Sequence, residues 1–304
     1  MTKPTTDTLV QLALDALADD AAAVPARVGA RLLEGTDGAR ANGWDFGDAA
    51  KTLSVFIATA AELSSLLDDL GEDDWSCSTR VQGESVAELV QHLVGMERYA
   101  LGQLGRRDAF DAPSPEDHHP ATLRAALDVA GERGPVLAGA WWAEVMRLFR
   151  AAGELGPELE IRYHHLGGSL RGFLVVHTFE LWSHDDDIRH AIGRPANELD
   201  DERLSLMTGE LMSALAVGMA LSGTTRPGRT ARFHLTGPGG GQFDVGLAPG
   251  EPPGPPDVTI TASALDLCRV ASRRLPPGDL DVTVVGDPTL LEPVLVGAGA
   301  FALD

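Results

Sequence analysis

The sequence predicts an α+β protein in which a helical extension and a helix bundle are followed by a small α/β domain. Through about three quarters of the 304-residue chain, apolar residues recur at i, i+3 and i+4, as in helices that bury one face. After Gly223 the apolar residues occupy alternate positions around glycine-rich turns, which is typical of β-hairpins. A hydrophobic content of 44% is enough for sizeable cores in two domains.

Residues 1–45 are predicted to form an N-terminal helical extension. Residues 7–19 and 25–34 place apolar and acidic positions at helical spacing, and Pro25 suits a first helical turn. The glycines in EGTDGARANGWDFGD then interrupt the pattern before the bundle begins. This extension is a candidate for contacts in a homodimer or for covering a site.

Residues 46–225 are predicted to form the bundle, with five helices that carry the apolar repeat of bundle helices. These helices span about 49–70, 85–104, 121–152, 170–192 and 201–221. Gly71 ends the first of them. Between the second and the third, the prolines and acidic residues of RRDAFDAPSPEDHHP predict a loop.

Residues 226–304 are predicted to form the α/β domain. TARFHLTGPGGGQFDVGL has the alternation of a hairpin, and VTITA and DLDVTVVGD are predicted strands. Ser263 is placed to cap the helix SALDLCRVASRR, and Asp287 with Pro288 begins a last helix through Leu295. The glycine run 238–241 is predicted to be a turn, because no Lys-Ser/Thr follows it and no helix begins there, as a phosphate-binding loop requires.

The chain is strongly acidic. Its 45 Asp and Glu residues against 24 Lys and Arg give a formal charge of −21, which disfavours nucleic acids and anionic membrane surfaces as partners. Cys77 and Cys268 are far apart in the sequence, which fits packed thiols in a reducing cytoplasm. The N-terminus lacks a signal-peptide pattern, and the apolar segment LMSALAVGMALSG is too short to cross a bilayer. We therefore expect a soluble, cytoplasmic protein.

A polar line runs along the fourth bundle helix, within HTFELWSHDDDIRH. His177, Glu180 and His184 follow one another at i, i+3 and i+7, and most of the remaining circumference is apolar. A Glu and a His at i, i+4 supply donors suited to zinc and other divalent ions, and bundles build metal sites from inward side chains. The third donor must come from another helix. His92, at the edge of the apolar stripe of AELVQHLVGMERYALGQLG, is the best candidate.

Each of these residues also has a simpler interpretation. His92 taken alone is typical of a hydrogen-bonded core histidine. Glu180 and His184 taken alone could form a surface pair, and HDDDIRH could be a solvated helical turn. No spacing argument applies to the histidines in loops and at helix starts, namely His118, His119, His164 and His165. On spacing alone, the metal site is a hypothesis beside these alternatives.

Three stretches carry a resemblance to a known family. They are DDW with ESVAELVQHLVGME around the second bundle helix, HHLGGSLRGFLVVHTFELWSHDDDIRHAIGRP around the fourth, and LDVTVVGDPTLLEPVL near the C-terminus. Over about residues 46–304 the chain resembles the maleylpyruvate isomerase family of mycothiol-dependent enzymes. That family is a branch of the DinB-like metal-binding four-helix bundles with a sterol-carrier-protein-like C-terminal domain. Its metal ligands, one His and a later Glu-x-x-x-His pair, fall on His92, Glu180 and His184.

The resemblance implies a divalent ion, usually zinc, with open positions for water or a thiolate. It also implies mycothiol or a similar thiol as cosubstrate, because a bound Zn²⁺ deprotonates a coordinating thiol near neutral pH. The predicted activity is addition of this thiol to a small electrophile, as an isomerase or a thiol S-transferase. The alternative is a non-catalytic small-ligand-binding or stress-response protein that retains the bundle.

Four further residues are predicted in supporting roles. Asp187 continues the polar line and could orient a ligand imidazole or a substrate amine, and His177 is a candidate site-facing group, so both are predicted as catalytic. The resemblance suggests an arginine near the active site within ASRRLPPG. It predicts Arg273 as catalytic and Arg274 as cofactor-binding, since arginine suits a carboxylate-bearing substrate or the thiol cofactor.

Overall fold

The computed structural model describes residues 46–106, 118–156, 159–163 and 166–302. The chain divides into two compact units, Met1–Arg194 and Pro195–Asp304. The extension predicted over residues 1–45 lies outside the described residues, as do most of the predicted loop at 106–120 and both His164 and His165.

The first unit is a helix bundle. Its described α-helices are α1 (Phe46–Asp68), α2 (Val86–Gln103), α3 (His118–Ala125), α4 (Gly134–Leu155) and α5 (Leu170–Ala191). Helix α1 packs against α4 and α5, and α2 packs against α3 and α4, so the four long helices share one apolar core. The predicted four-helix bundle is confirmed, with α3 as a short addition to it.

The prediction of a single helix over residues 121–152 is wrong. Helix α3 ends at Ala125 and α4 begins at Gly134. Gly131 and Gly134 have φ angles of 84° and 64°, a conformation that breaks a helix and that glycine adopts without steric cost. Pro135 then lies in the first turn of α4, where its missing N–H needs no partner.

A hairpin that the sequence did not predict joins α4 to α5. Strand β1 (Glu160–Tyr163) pairs antiparallel with β2 (Leu166–Ser169). Ser169 also caps α5, because its hydroxyl accepts a hydrogen bond from the backbone N–H of Gly172. The hairpin therefore fixes where α5 begins and, through helical periodicity, where its polar line points.

Helix α2 begins with a capping box. The Ser85 hydroxyl accepts a hydrogen bond from the Glu88 N–H, and the Glu88 carboxylate accepts one at 2.8 Å from the Ser85 N–H. These hydrogen bonds from the side chain and backbone of Ser85 lower the pKa of Glu88. The predicted start of the second helix, at about residue 85, is confirmed.

A four-stranded sheet forms the centre of the second unit. Its strands are β3 (Thr230–Thr236), β4 (Gly241–Gly246), β5 (Val258–Ser263) and β6 (Val282–Gly286). The strand order is β4-β3-β5-β6, with β3 parallel to β5 and the outer pairs antiparallel. Phe233 and Ile260 on one face are fully buried, whereas Arg232 and Asp244 form an ion pair on the other face. The predicted hairpin and both predicted strands are confirmed.

Three helices pack within the second unit: α6 (Asp201–Leu221), α7 (Ala264–Ala271) and α8 (Leu291–Ala298). A Cβ atom on Gly218 of α6 would lie 2.2 Å from the carbonyl oxygen of Gly297 in α8, so this crossing requires a glycine. The Thr208 hydroxyl of α6 donates to the carbonyl of Gly239, beside the sheet, at 2.8 Å. Helix α6 therefore belongs with the sheet, and the chain divides at 194 and 195 rather than at the predicted 225 and 226.

Among the described residues, α6 is the one helix long and apolar enough to cross a membrane by length and composition. Of its most apolar window, 44% is buried inside the protein. Core helices of soluble proteins can pass the same test, and α6 packs against α8 and β4.

Candidate metal centre

The predicted ligands His92, Glu180 and His184 lie together. The Nε2 atom of His92 is 3.3 Å from Oε1 of Glu180, and the Nε2 atom of His184 is 4.0 Å from the same oxygen. The two imidazole rings are nearly perpendicular, with centroids 5.6 Å apart. One donor atom from each residue lies within 4.8 Å of the other two. Helix α2 supplies one donor and α5 supplies two, as the spacing predicts.

Burial sets the character of this cluster. His92 and His184 are 5% and 3% exposed, and the Glu180 side chain is 16% exposed. Burial alone would raise the pKa of Glu180, but hydrogen bonds from His177 and His92 hold that pKa well below its usual range. The cluster therefore presents an ionised carboxylate between two nearly enclosed imidazoles.

The donor set fits a tetrahedral divalent ion. Zinc lies about 2 Å from its nitrogen and oxygen ligands, so two ligands of a tetrahedral site are roughly 3.3 Å apart. The separation between His92 and Glu180 already has this value, and that between His184 and Glu180 exceeds it by under 1 Å. Two imidazoles and one carboxylate are also the ligand types that zinc accepts.

Thr122 of α3 supports the first imidazole. Its Oγ1 atom is 2.9 Å from Nδ1 of His92. In the tautomer with the proton on Nδ1, that proton is donated to this hydroxyl, and Nε2 then offers a lone pair to a metal ion in place of the hydrogen bond from His92 to Glu180. The contact depends on Gly95, where a Cβ atom would lie 2.0 Å from the Thr122 carbonyl oxygen. A glycine one turn after His92 therefore lets α3 approach α2 closely enough for Thr122 to contact this predicted ligand.

Asp187 and Arg80 support the second imidazole. Nδ1 of His184 is 3.1 Å from Oδ2 of Asp187. Because an ionised carboxylate only accepts hydrogen bonds, Nδ1 donates its proton to Asp187, and the Nε2 atom is left available to a metal ion. Arg80, in the segment before α2, donates from Nε to the other Asp187 oxygen at 3.1 Å and pairs with Asp186 at 2.7 Å. The guanidinium balances the negative charge behind the histidine.

His177 and Glu97 support the carboxylate. Nδ1 of His177 donates to Oε2 of Glu180 at 3.0 Å, and its Nε2 donates to Oε1 of Glu97 at 2.9 Å. Burial alone would lower the pKa of His177, but Glu97 and Glu180 raise it to about 10. The ring stacks between Phe56 and Phe173, with centroid distances of 5.6 and 5.5 Å. His177 is therefore a fully buried imidazolium that bridges two carboxylates.

The predicted catalytic residues differ in their placement. Asp187 and His177 are both fully buried and contact predicted ligands, so their geometry suits orientation of those side chains. Arg273 and Arg274 follow α7 in the second unit, where Arg273 has a left-handed φ of 59° and its N–H donates to the Val270 carbonyl. Their assigned roles stay predictions.

Three residues of this site were missed by sequence reasoning: Arg80, Glu97 and Thr122. Glu97 carried a usable signal, since it is a carboxylate on a helix otherwise rich in buried apolar residues. Arg80 and Thr122 carried none, because each meets its partner only through the packing of separate segments.

Two sequence models of one family match the chain. The Mycothiol maleylpyruvate isomerase N-terminal domain matches residues 56–189, and the MDMPI C-terminal domain matches residues 194–293. The chain belongs to the mycothiol maleylpyruvate isomerase family. The three clustered residues lie in the first match, and the two matches meet where the structure divides into its two units.

Solved structures of the same family show the same fold. The mycothiol-dependent maleylpyruvate isomerase and a histidine-to-alanine mutant of it match with TM-scores of 0.53 and 0.54. Each is 15% identical, and each match covers 77% of this chain and 92% of that chain. Two uncharacterized proteins from strains of Mycobacterium tuberculosis are 23% identical over 235 residues, or 76% of this chain and 88% of theirs. The fold is thus an α+β combination of a DinB-like bundle and a small second domain.

Proposed function

We propose that this chain is a metal-dependent enzyme that activates mycothiol, or a similar low-molecular-weight thiol, for addition to a small electrophile. The observation that carries the proposal is the convergence of His92, Glu180 and His184 on one point within a family-matched bundle. Three protein ligands with an open position are the arrangement of catalytic rather than structural zinc sites.

The residues at the site would divide the work. His92, Glu180 and His184 would hold the ion, for which zinc is the best candidate. When bound, the ion supplies a lowered pKa to a coordinating thiol, which then reacts as a thiolate near neutral pH. Thr122 and Asp187 keep an Nε2 lone pair of each imidazole available, and so act on the ligands rather than on the substrate.

The thiol would be supplied from outside the chain. Cys268 is fully buried in the second unit, and burial raises the pKa of its thiol, so it is unsuited to act as a nucleophile. Cys77 is half-buried, and its Sγ lies 3.9 Å from the carbonyl oxygen of Asp73. A small thiol cosubstrate, as in the name of the family, fits this arrangement better than either cysteine.

Two reaction types fit the proposal, and they differ in the fate of the new carbon–sulfur bond. In an isomerase the thiolate adds to a conjugated double bond, the resulting single bond rotates, and the thiolate leaves unchanged. In an S-transferase the carbon–sulfur bond remains. In an addition, the other carbon of the former double bond takes up a proton, and in a substitution the carbon that is attacked loses a leaving group. Both need the same site, so the reaction type has to be measured.

We further propose a cytoplasmic location and small-molecule partners. The formal charge of −21 disfavours nucleic acids and anionic membrane surfaces. The homodimer and the role of residues 1–45 stay predictions.

The proposal is tested by comparing metal-stripped and zinc-loaded protein with mycothiol and a panel of electrophiles that includes maleylpyruvate. Chromatography follows cis–trans conversion, and mass spectrometry follows thiol conjugates. We expect turnover that needs both zinc and thiol, with the thiol recovered by an isomerase and consumed by a transferase. His190→Ala is the matched control, because this histidine is exposed on the same helix. Ligand binding that survives zinc removal, without thiol chemistry, would instead support the non-catalytic alternative.

A further inference from the structure

The strongest unassigned feature is the buried chain of hydrogen bonds from Glu97 through His177 to Glu180. Glu97 and His177 are both fully buried, although burying charged groups is costly. Replacing a buried ion pair with apolar residues of similar size is often neutral or stabilising, so stability alone does not account for it. The pair ends on one atom of the metal cluster, Oε2 of Glu180.

Because of this contact, the two oxygens of the Glu180 carboxylate have different partners. Oε2 accepts the hydrogen bond from His177, whereas Oε1 lies 3.3 and 4.0 Å from the Nε2 atoms of His92 and His184. The terminal torsion of a glutamate is broad and roughly two-fold, so the carboxylate does not hold this orientation by itself. A hydrogen-bond donor in a fixed position behind the carboxylate would hold it in this orientation.

The imidazole is itself fixed in two independent ways. Glu97 accepts from its far nitrogen at 2.9 Å, and the rings of Phe56 and Phe173 stack on its faces with interplanar angles of 29° and 16°. The hydrogen bond sets the rotation of the ring, and the stack sets its plane. The anchor is on α2, so one connection joins the two helices that supply the ligands.

We propose that Glu97 and His177 are positioning residues that present Glu180 to the metal through Oε1 alone. A second oxygen bound to the metal would occupy a position that an incoming thiol needs. The inference rests on the proposed function, because it assigns a task within the same site. It is distinct from a packing role for His177, which would need the shape of the ring but not its two donors.

The test is zinc affinity of the full chain, measured by competition with a chromophoric chelator. The double variant Glu97→Leu with His177→Phe removes both polar groups while an aromatic ring stays between Phe56 and Phe173. Removing Glu97 together with His177 avoids a fully buried carboxylate without its donor, and Oε2 of Glu180, which loses the same donor, belongs to a side chain that is 16% exposed. We expect the metal-free variant to have a free energy of unfolding close to that of wild type. Its zinc affinity should fall about 10- to 100-fold.

Glu144→Gln is the matched control. Glu144 belongs to a buried ion pair with Arg98 between α2 and α4, and it also pairs with Arg147 of its own helix. This variant should lose stability and keep its zinc affinity. A double variant that binds zinc as tightly as wild type would overturn the inference and leave the proposed function intact. Wild type that binds no zinc would overturn both.

A crystal structure of zinc-loaded wild type tests the same inference if the double variant does not fold. We expect Oε1 of Glu180 to bind the metal while Oε2 stays within hydrogen-bond distance of His177. Zinc bound through both oxygens, or a broken contact between His177 and Glu180, would contradict the proposed role.

Discussion

Replacing Gly95 with alanine should weaken metal binding at the proposed site without changing any predicted ligand. Gly95 lies where α2 and α3 meet, and a Cβ atom there would be 2.0 Å from the carbonyl oxygen of Thr122 and 2.5 Å from its carbonyl carbon. The obstacle is backbone, which cannot rotate aside as the end of a flexible side chain can. Helix α3 must therefore move away from α2.

The size of the movement follows from these distances. Ordinary contact begins near 3.4 Å, so Thr122 must retreat by about 1.4 Å. The hydrogen bond between Thr122 and His92 is 2.9 Å long, and such bonds weaken beyond roughly 3.2 Å, so this one would be lost. Loss of a hydrogen bond behind a metal ligand typically lowers metal affinity about 10- to 100-fold. Overpacking of this kind also destabilises by about 1–3 kcal/mol.

The assay combines zinc competition with urea unfolding of the metal-free protein. Thr122→Val removes the hydroxyl and keeps the shape, so it should lower zinc affinity with a smaller loss of stability. Gly139→Ala is the matched control, since Gly139 is exposed within α4 and its Cβ would meet no atom within 4 Å. It should stabilise the protein by about 0.5–1 kcal/mol and leave zinc affinity unchanged. A Gly95→Ala variant that matches wild type in both measurements would refute this reasoning.

Three further predictions concern other contacts. Arg80→Gln should lower zinc affinity several-fold in the same titration, because Asp187, behind His184, loses the cation that pairs with it. An unchanged zinc affinity would contradict the supporting role of Arg80. Ser85→Ala should cost about 1 kcal/mol in urea unfolding at neutral pH. Because the folded-state pKa of Glu88 is lowered, that advantage of the wild type should shrink as pH falls through the folded-state pKa; a pH-independent difference would contradict it. Cys268, buried with a raised pKa, should resist a thiol reagent in the native protein and react on unfolding; rapid native labelling would contradict this burial.

The fold was predictable where local patterns decide it. The predicted starts of α2 and α5, near Ser85 and Leu170, are confirmed because a capping serine and a long apolar period mark them. The break between α3 and α4 was missed although Gly131 and Gly134 stand there, since apolar residues continue the period on both sides. The placement of α6 with the sheet was missed because its pattern shows a buried face but not the partner of that face.

The site was predictable only in part, for a similar reason. Glu180 and His184 share one helix, so their spacing brings them together, and His92 followed from the need for a third donor and from family resemblance. The partners behind the ligands lie far away in sequence. Arg80 meets Asp187 across 107 positions and Glu97 meets His177 across 80, and periodicity within one helix contains no information on such pairings.

The central claim is that α2 and α5 hold one catalytic metal ion between them. It is tested most directly by the metal content of purified wild type, His92→Ala, His184→Ala and the control His190→Ala, each confirmed as folded by circular dichroism. The account predicts near-stoichiometric zinc in wild type and His190→Ala and its loss in the other two variants. Wild type that stays metal-free after incubation with divalent ions, or zinc retained in both ligand variants, would contradict it.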